Sequence, residues 1–276
     1  MSPRLRGRGI ELKTPAQLAC MRRAGLVVGE TLALLADAVA PGITTGELDA
    51  LAEQHIRASG AVPSFLGYHG FPASICTSVN DAVVHGIPGD LVLVEGDVIS
   101  IDCGAIVDGW HGDAAVSLPV GAVSEERREL LDVCERALWR GLAAAHLGGR
   151  LTDISAAVEA AVRSRGDYGI VEDYVGHGIG SAMHQPPGVP NYGRPGRGPR
   201  LVEGLALAVE PMVIAGDKRT RVLADEWTVV SADGSPAAHF EHTFTLTEHG
   251  PWVLTALDGG AANLAELAAA GPVEVG

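Results

Sequence analysis

The stretch Ile99–Leu118, ISIDCGAIVDGWHGDAAVSL, decides how this chain is read. Apolar and small residues alternate on either side of Asp108-Gly109, a pair suited to the two-residue turn of a β-hairpin. With that turn, Val107 faces Trp110 and Asp102 faces Ala115. Asp113 is then a diagonal neighbour of Asp102 on the same face, about 7–8 Å away by backbone. Ile101 and Val116 occupy the opposite face. Two carboxylates set side by side among apolar residues cost free energy unless a cation compensates them. Two alternatives stand at this point: a hairpin whose acids face water, and a hairpin whose acids hold a metal.

Working outward, TPAQLACMRRAGLVVGETLALLADAVAPG predicts a helix with Thr14 as N-cap, Pro15 at its first position and Gln17 closing a capping box, ended by Pro41-Gly42. TTGELDALAEQHIRASG predicts a second helix with Leu48, Leu51, Ala52 and Ile56 on one face. A strand-rich stretch over 73–118 follows, with turns at Asn80-Asp81 and Asp108-Gly109. Two more helices are expected in SEERRELLDVCERALWRGLAAAHLGG and LTDISAAVEAAVRSRG, and strands return over about 201–254. The order helix, helix, strands thus occurs twice, which prompts a search for a repeat. An offset of 106 aligns Gly42 with Gly148, Ala50 with Ala156, Glu53 with Glu159, Arg57 with Arg163 and Gly60 with Gly166. It also carries Tyr68 to Tyr174 and Gly70 to Gly176. We therefore expect two similar α+β halves, about 14–120 and 121–255, in one catalytic domain with a site at their junction. Residues 1–13 read as an N-terminal extension and 256–276 as an Ala/Gly-rich, loosely packed tail.

The 276 residues, 47% hydrophobic and 20% charged, are those of an ordinary globular protein long enough to bury a full core. With 20 basic against 34 acidic groups the formal charge is −14, which argues against DNA and anionic membranes as partners. Cys20, Cys76, Cys103 and Cys134 are scattered, with neither a CxxC pair nor a disulfide framework. No basic N-terminal segment is followed by an apolar run, and no stretch reaches the roughly 18 apolar residues of a membrane span. The expected location is the cytoplasm.

Further candidate ligands lie downstream. GHGIG, 176–180, sets His177 among glycines, where backbone can approach a site closely. ALAVEPMVI ends an apolar strand at Glu210, before a Pro that cannot continue a ladder. AAHFEHTFTLT places Glu241 inside an alternating strand. Any one of these is ordinarily satisfied by a hydrogen bond. Two Asp, one His and two Glu together suit two divalent ions such as Mn²⁺, Fe²⁺, Co²⁺ or Zn²⁺, which carboxylate bridges hold about 3.5–4 Å apart.

The motifs SVNDAVVHGIP, IDCGAIVDGWHGDA, GHGIG with MHQPP, VEPM and FEHT, in this order from about Thr14 to Leu254, resemble type I methionine aminopeptidase of peptidase family M24. The resemblance implies the pita-bread fold, two pseudo-twofold-related α+β halves around an antiparallel sheet. It implies a monomer that excises the initiator methionine from nascent proteins and peptides, by attack of water activated on a dinuclear metal centre. Asp102, Asp113, His177, Glu210 and Glu241 match the metal ligands, with Asp113 and Glu241 bridging and Glu210 also the general base. His85 and His184 match the histidines that contact the substrate amide. Phe65, Tyr68, Phe71, Cys76, Met183 and Trp227 match the methionine pocket, where sulfur and aromatic groups favour a thioether. The common bacterial pattern has Cys where Phe65 stands and Phe where Met183 stands, so pocket shape is where this chain departs. Arg194, Arg197 and Arg200 in PNYGRPGRGPRLVEG form a small basic patch, read either as a solvated loop or as a ribosome contact.

Two other readings use the same residues. A proline-directed relative on this fold, such as aminopeptidase P or prolidase, would carry an additional N-terminal domain, for which the residues before Thr14 leave no room. A pita-bread binding protein without catalysis would lack some of the five ligands, and all five are here. The helical insertion of type II enzymes and an N-terminal zinc-binding extension are also not expected.

Overall fold

The computed structural model describes residues 9–270. In chain order its elements are α1 (Pro15–Ala38), α2 (Thr45–Ala58), β1 (Val62–Pro63), β2 (Ile75–Val79), β3 (Ala82–Val84), β4 (Val98–Val107), β5 (Trp110–Pro119), α3 (Glu125–Ala144) and α4 (Leu151–Arg163). The second part holds β6 (Gly169–Ile170), β7 (Gly176–Gly178), β8 (Gln185–Val189), β9 (Ala206–Val209), β10 (Met212–Ile214), β11 (Thr220–Val222) and β12 (Val229–Ser231). It closes with β13 (Ala237–His239), β14 (Glu241–Thr247), β15 (Gly250–Val253) and α5 (Ala261–Ala270).

The hairpin β4–β5 lies within a nine-stranded antiparallel sheet of order β1-β4-β5-β14-β9-β7-β8, with β2 beside β4 and β15 beside β14. Asp108 (φ 51°) and Gly109 (φ 78°) are both left-handed, which suits the right-handed twist of the flanking strands. The register sets Val107 opposite Trp110, Asp102 opposite Ala115 and Asp113 opposite Gly104. A Cβ on Gly104 would meet the Phe65 ring at 2.8 Å, so only glycine lets that ring pack here.

The sheet has two faces of opposite character. Ile99, Ile101, Cys103, Ala105 and Ala114 point into a core shared with Val28 and Leu35 of α1 and Leu48 and Ile56 of α2. Leu207, Val209, Phe244 and Leu246 join a second core with α3 and α4. Each large side chain fully buried in these cores contributes about 1.5–3 kcal/mol. Alternation then sends Ser100, Asp102, Asp113 and Ser117 to the other face.

Both early helices begin with reciprocal caps. The Gln17 N–H donates to the Thr14 hydroxyl while the Thr14 N–H donates to the Gln17 side chain, and Thr44 and Glu47 repeat the arrangement. The 106-residue offset is also the spacing between Thr45 and Leu151, the first residues of α2 and α4.

Three sequence readings need revision. The stretch AAHFEHTFTLT is broken at Phe240, so Glu241 opens β14 instead of lying inside one strand. The glycines of GHGIG admit neighbouring strands: a Cβ on Gly176 would lie 2.4 Å from the Ala208 carbonyl oxygen, and one on Gly178 would lie 2.4 Å from that of Pro186. The tail is helical over α5, begun by Asp258, which accepts from the Gly260 and Ala262 N–H groups, and its Leu264 and Leu267 pack on the α3–α4 core. At the other end Ile10 and Leu12 pack on that same core. The remaining residues assigned to the extension and the tail, 1–8 and 271–276, lie outside the described residues.

Gly178→Ala should destabilise the protein by about 1–3 kcal/mol through overpacking. Gly188→Ala, whose new Cβ would have its nearest neighbour at 3.6 Å, should be near neutral. Urea denaturation of the two variants checks this, and equal midpoints would refute it.

Candidate metal centre and substrate pocket

Four strands and one strand junction bring the candidate ligands together. Asp102 and Asp113 project from β4 and β5, His177 from β7, Glu210 from the β9–β10 junction and Glu241 from the first position of β14. Glu241 pairs with Ala115 across the β5–β14 seam. The Asp113 N–H donates to the Thr243 hydroxyl at 3.1 Å, and that hydroxyl donates to the Asp113 carbonyl at 2.8 Å. Donor atoms of Asp113, His177 and Glu241 all lie within 4.8 Å of one another.

The His177 tautomer follows from its partner. Nδ1 is 3.0 Å from the Gly178 carbonyl oxygen, which can only accept, so Nδ1 carries the proton and Nε2 presents its lone pair. That Nε2 is 3.5 Å from Glu210 Oε1. Burial lowers the His177 pKa to about 3, so this contact joins a neutral ring to a carboxyl group and is no ion pair.

Asp102, Asp113, Glu210 and Glu241 converge at the floor of this space, Asp173 also lines it, and no lysine or arginine does among the described residues. Burial pushes Asp102 up to about 7, with Glu210 raising it further against the opposing effect of His239. Burial alone pushes Glu210 up to about 8. Asp113 and Glu241 are raised well above the usual range, by burial first and then by the neighbouring acids. Asp102 Oδ1, Asp113 Oδ1, Glu241 Oε1 and His239 Nε2 are buried without any hydrogen-bond partner. Buried polar atoms are normally satisfied. Oxygen donors with imidazole, left unpartnered and facing one another, fit divalent cations of the first transition row.

Above this floor a cavity of about 470 Å³ is walled by the six pocket residues expected from the sequence. Phe65, Phe71, Cys76 and Met183 are buried, with Tyr68 and Trp227 packed against them. Phe71 and Trp227 meet edge to face at 5.1 Å. His85 and His184 line the same cavity. The Tyr68 hydroxyl lies 2.9 Å from His184 Nδ1. Burial lowers His85 to about 4 and lowers His184 as well, so both rings are neutral and each has one N–H to give.

Two contributors escaped the sequence reading. His239 lines the cavity beside Glu210. His239 ends β13 and Glu241 opens β14 across the break at Phe240, so no alternation within a single strand links the two. The second is Glu11, which accepts from the Ser181 N–H at 3.1 Å, the Ser181 hydroxyl at 2.8 Å and the Gln185 amide at 2.9 Å. It thereby steadies the segment that carries Met183 and His184. Nothing in the sequence pattern links Glu11 to that segment.

The sequence matches metallopeptidase family M24 over residues 19–248. It is 53% identical over 247 residues to the methionine aminopeptidase of Clostridium acetobutylicum, spanning 89% of this chain and 98% of that protein. The crystal structure of methionine aminopeptidase from Thermotoga maritima matches with a TM-score of 0.88 at 41% identity, over 90% of this chain and 99% of that one. The chain belongs to metallopeptidase family M24, among its methionine aminopeptidases, and has their pita-bread fold. Prolidase from Pyrococcus furiosus, 21% identical with a TM-score of 0.69, shares the fold alone, and the match covers 65% of it.

The carboxyl cluster makes the stability of the metal-free protein depend on pH. With folded pKa values raised to about 7 for Asp102 and about 8 for Glu210, the folded state holds protons that the unfolded chain releases near 4. The associated stability is full in acid and is lost as pH rises through 7 to 8. Thermal melts of chelated protein should therefore fall from pH 5 to 8.5, and added Co²⁺ or Mn²⁺ should restore the high-pH values. A flat profile for the chelated protein would refute the cluster's cost.

Proposed function

We infer that this chain is an aminopeptidase that removes N-terminal methionine from peptides and nascent proteins by metal-dependent hydrolysis. The observation that carries this reading is the meeting of Asp113, His177 and Glu241 donor atoms within 4.8 Å at the floor of an apolar, sulfur-containing cavity. Membership of a metallopeptidase family and the methionine-specific names of its relatives support it.

Asp102, Asp113, His177, Glu210 and Glu241 would hold two divalent ions, of Co²⁺, Mn²⁺, Fe²⁺ or Zn²⁺. When bound, the ions polarise the scissile carbonyl and ease proton loss from the attacking water. His177 contributes a lone pair already aimed by its bond to Gly178. Glu210 takes the proton and delivers it to the leaving amine. With the Tyr68 hydroxyl donating to Nδ1 of His184, the His184 proton sits on Nε2. From there it, like the N–H of His85, is offered to the carbonyl oxygen as negative charge develops.

The methionine side chain enters between Phe65, Tyr68, Phe71, Cys76, Met183 and Trp227. Contacts between a thioether and aromatic rings contribute about 0.3–1.5 kcal/mol each. Met183 and Phe65 shape the pocket differently from the common bacterial pair. Small second residues are preferred, because a centre at the bottom of a pocket leaves little room beside the scissile bond.

No helix among the described residues is long and apolar enough to cross a membrane, and we place the enzyme in the cytoplasm as a monomer that meets nascent chains. Arg194, Arg197 and Arg200 are exposed. Their loop is tied to α4, with the Gly196 N–H donating to Asp153 and the Arg197 N–H to Thr152. We read them as a solvated face and not as a ribosome contact.

Methionine release from Met-Ala-Ser should exceed that from Met-Leu-Ser, with Ala-Pro-Ser left uncut; activity should vanish on chelation and return with metal. Chelator-resistant activity would end the mechanism, and cleavage of the X-Pro peptide alone would end the substrate assignment. Asp113→Asn should lower kcat at least a thousandfold while the protein stays folded, and a folded, active variant removes Asp113 from the ligand set.

A further inference from the structure

The chain has two lysines, Lys13 and Lys218. Lys218 is exposed and paired with Glu172. The Lys13 side chain is 1% exposed, although it has no place in the chemistry described above. Burying an ammonium costs free energy that only good partners offset. Burial lowers the Lys13 pKa to about 8, with the Glu11 carboxylate raising it against that effect. Its Nζ donates to the Glu11 carbonyl at 3.1 Å and to Gln185 Oε1 at 3.3 Å, and the Glu11 carboxylate stands 3.7 Å away.

These contacts settle the orientation of the Gln185 amide. An ammonium can only donate and a carboxylate can only accept. Oε1 therefore faces Lys13, while Nε2 faces Glu11 and donates to it at 2.9 Å. The Ser181 hydroxyl accepts from that same amide at 3.2 Å while donating to Glu11 at 2.8 Å. Lys13 thus sits beneath a knot that ties residue 181 to residue 185. It is itself anchored, its N–H donating to the Gly204 carbonyl at 2.7 Å. A Cβ on Gly180 would collide with the Lys13 chain and the Glu11 carboxylate, so glycine admits both. On its other side the Gly180 carbonyl accepts from the His111 N–H at 3.0 Å.

Two residues inside the knot differ in what else holds them. Met183 is buried with Phe65, Phe71 and Cys76, so packing fixes it. His184 is exposed. Beyond the knot its ring has the Tyr68 hydroxyl at Nδ1 and the His177 ring, 4.2 Å away between centroids, as neighbours. We propose that Lys13 is a positioning residue for the hydrolysis: by orienting Gln185 and Glu11 it fixes the 181–185 backbone and so aims the His184 N–H at the substrate carbonyl. The proposal rests on the aminopeptidase reading given above. An error in that aim is felt where negative charge develops on the oxygen and little in ground-state binding, so it lowers kcat and spares KM.

The test is a double-mutant cycle on the full chain loaded with Co²⁺, comparing Lys13→Met, His184→Ala and the pair. Lys13→Met should lower kcat on Met-Ala-Ser about tenfold with KM changed by less than about threefold, and should cost nothing further once His184 is replaced. It should melt no lower than the wild type, because an apolar chain of similar length replaces a buried ammonium. Exchange of the Ser181 N–H, which donates to Glu11, should be about tenfold faster in Lys13→Met, with the amides of β4 and β5 unchanged. Should Lys13→Met fail to fold, Glu11→Gln, at a side chain 33% exposed, takes its place in the cycle with the same expected outcomes. Additive losses in kcat, a loss confined to KM, or unchanged Ser181 exchange would overturn the proposal. A wild type that releases no methionine would overturn the aminopeptidase reading instead, and Ser181 exchange alone then decides whether Lys13 orders the segment.

Discussion

Asp102, Asp113, Glu210 and Glu241 occupy one buried space that no lysine or arginine lines among the described residues, and the structure is organised around the cost of that arrangement. Removing carboxylates from water disfavours their ionised form, and grouping them multiplies the effect. The raised pKa values of all four acids express that cost. A scaffold that tolerates such a cluster has to be stable from other sources. Here the source is the opposite face of the same sheet, where two apolar cores lie beneath two pairs of helices. Each strand that aims an acid at the site buries its alternate residues against a helix. Period two thus couples stability and chemistry strand by strand.

Much of this was readable because local rules decided it. Asp108-Gly109 can hardly be anything but a tight turn, and once the turn is set the register places Asp102 and Asp113 on one face. The caps at Thr14 and Thr44 likewise depend on residues three apart and are found where the pattern puts them. What the pattern could not supply was partnership at long range. Glu11 reaches Ser181 and Gln185 across about 170 positions, and no local rule links them. The glycines around His177 are explained by strands β8 and β9, whose approach lies outside the motif. The helical tail was missed because Ala and Gly dominate its composition, although Asp258 is an ordinary helix-starting residue.

The pocket shows how shape is set apart from chemistry. Gly104 opposite Asp113 admits the Phe65 ring, so one wall of the side-chain cavity is packed on the strand pair that holds an acid. Met183 and His184 are adjacent in a segment steadied by Glu11, which places a pocket wall and an amide-contacting histidine under one clamp. Substitution at Phe65 or Met183 changes what fills the cavity while leaving the donor atoms where the sheet puts them.

Neither half of the chain carries a complete donor set. Of the candidate ligands, the first supplies Asp102 and Asp113 from β4 and β5; the second supplies His177, Glu210 and Glu241. They meet at the β5–β14 seam, where Glu241 lies opposite Ala115 and the Thr243 hydroxyl bonds both the N–H and the carbonyl of Asp113. The candidate ligands therefore come from both sides of a seam held by few backbone pairs. Metal binding to such a site adds its free energy to folding, because the unfolded chain offers no preformed equivalent. Divalent metal bound among these acids would neutralise them and tie the two sides of the β5–β14 seam together.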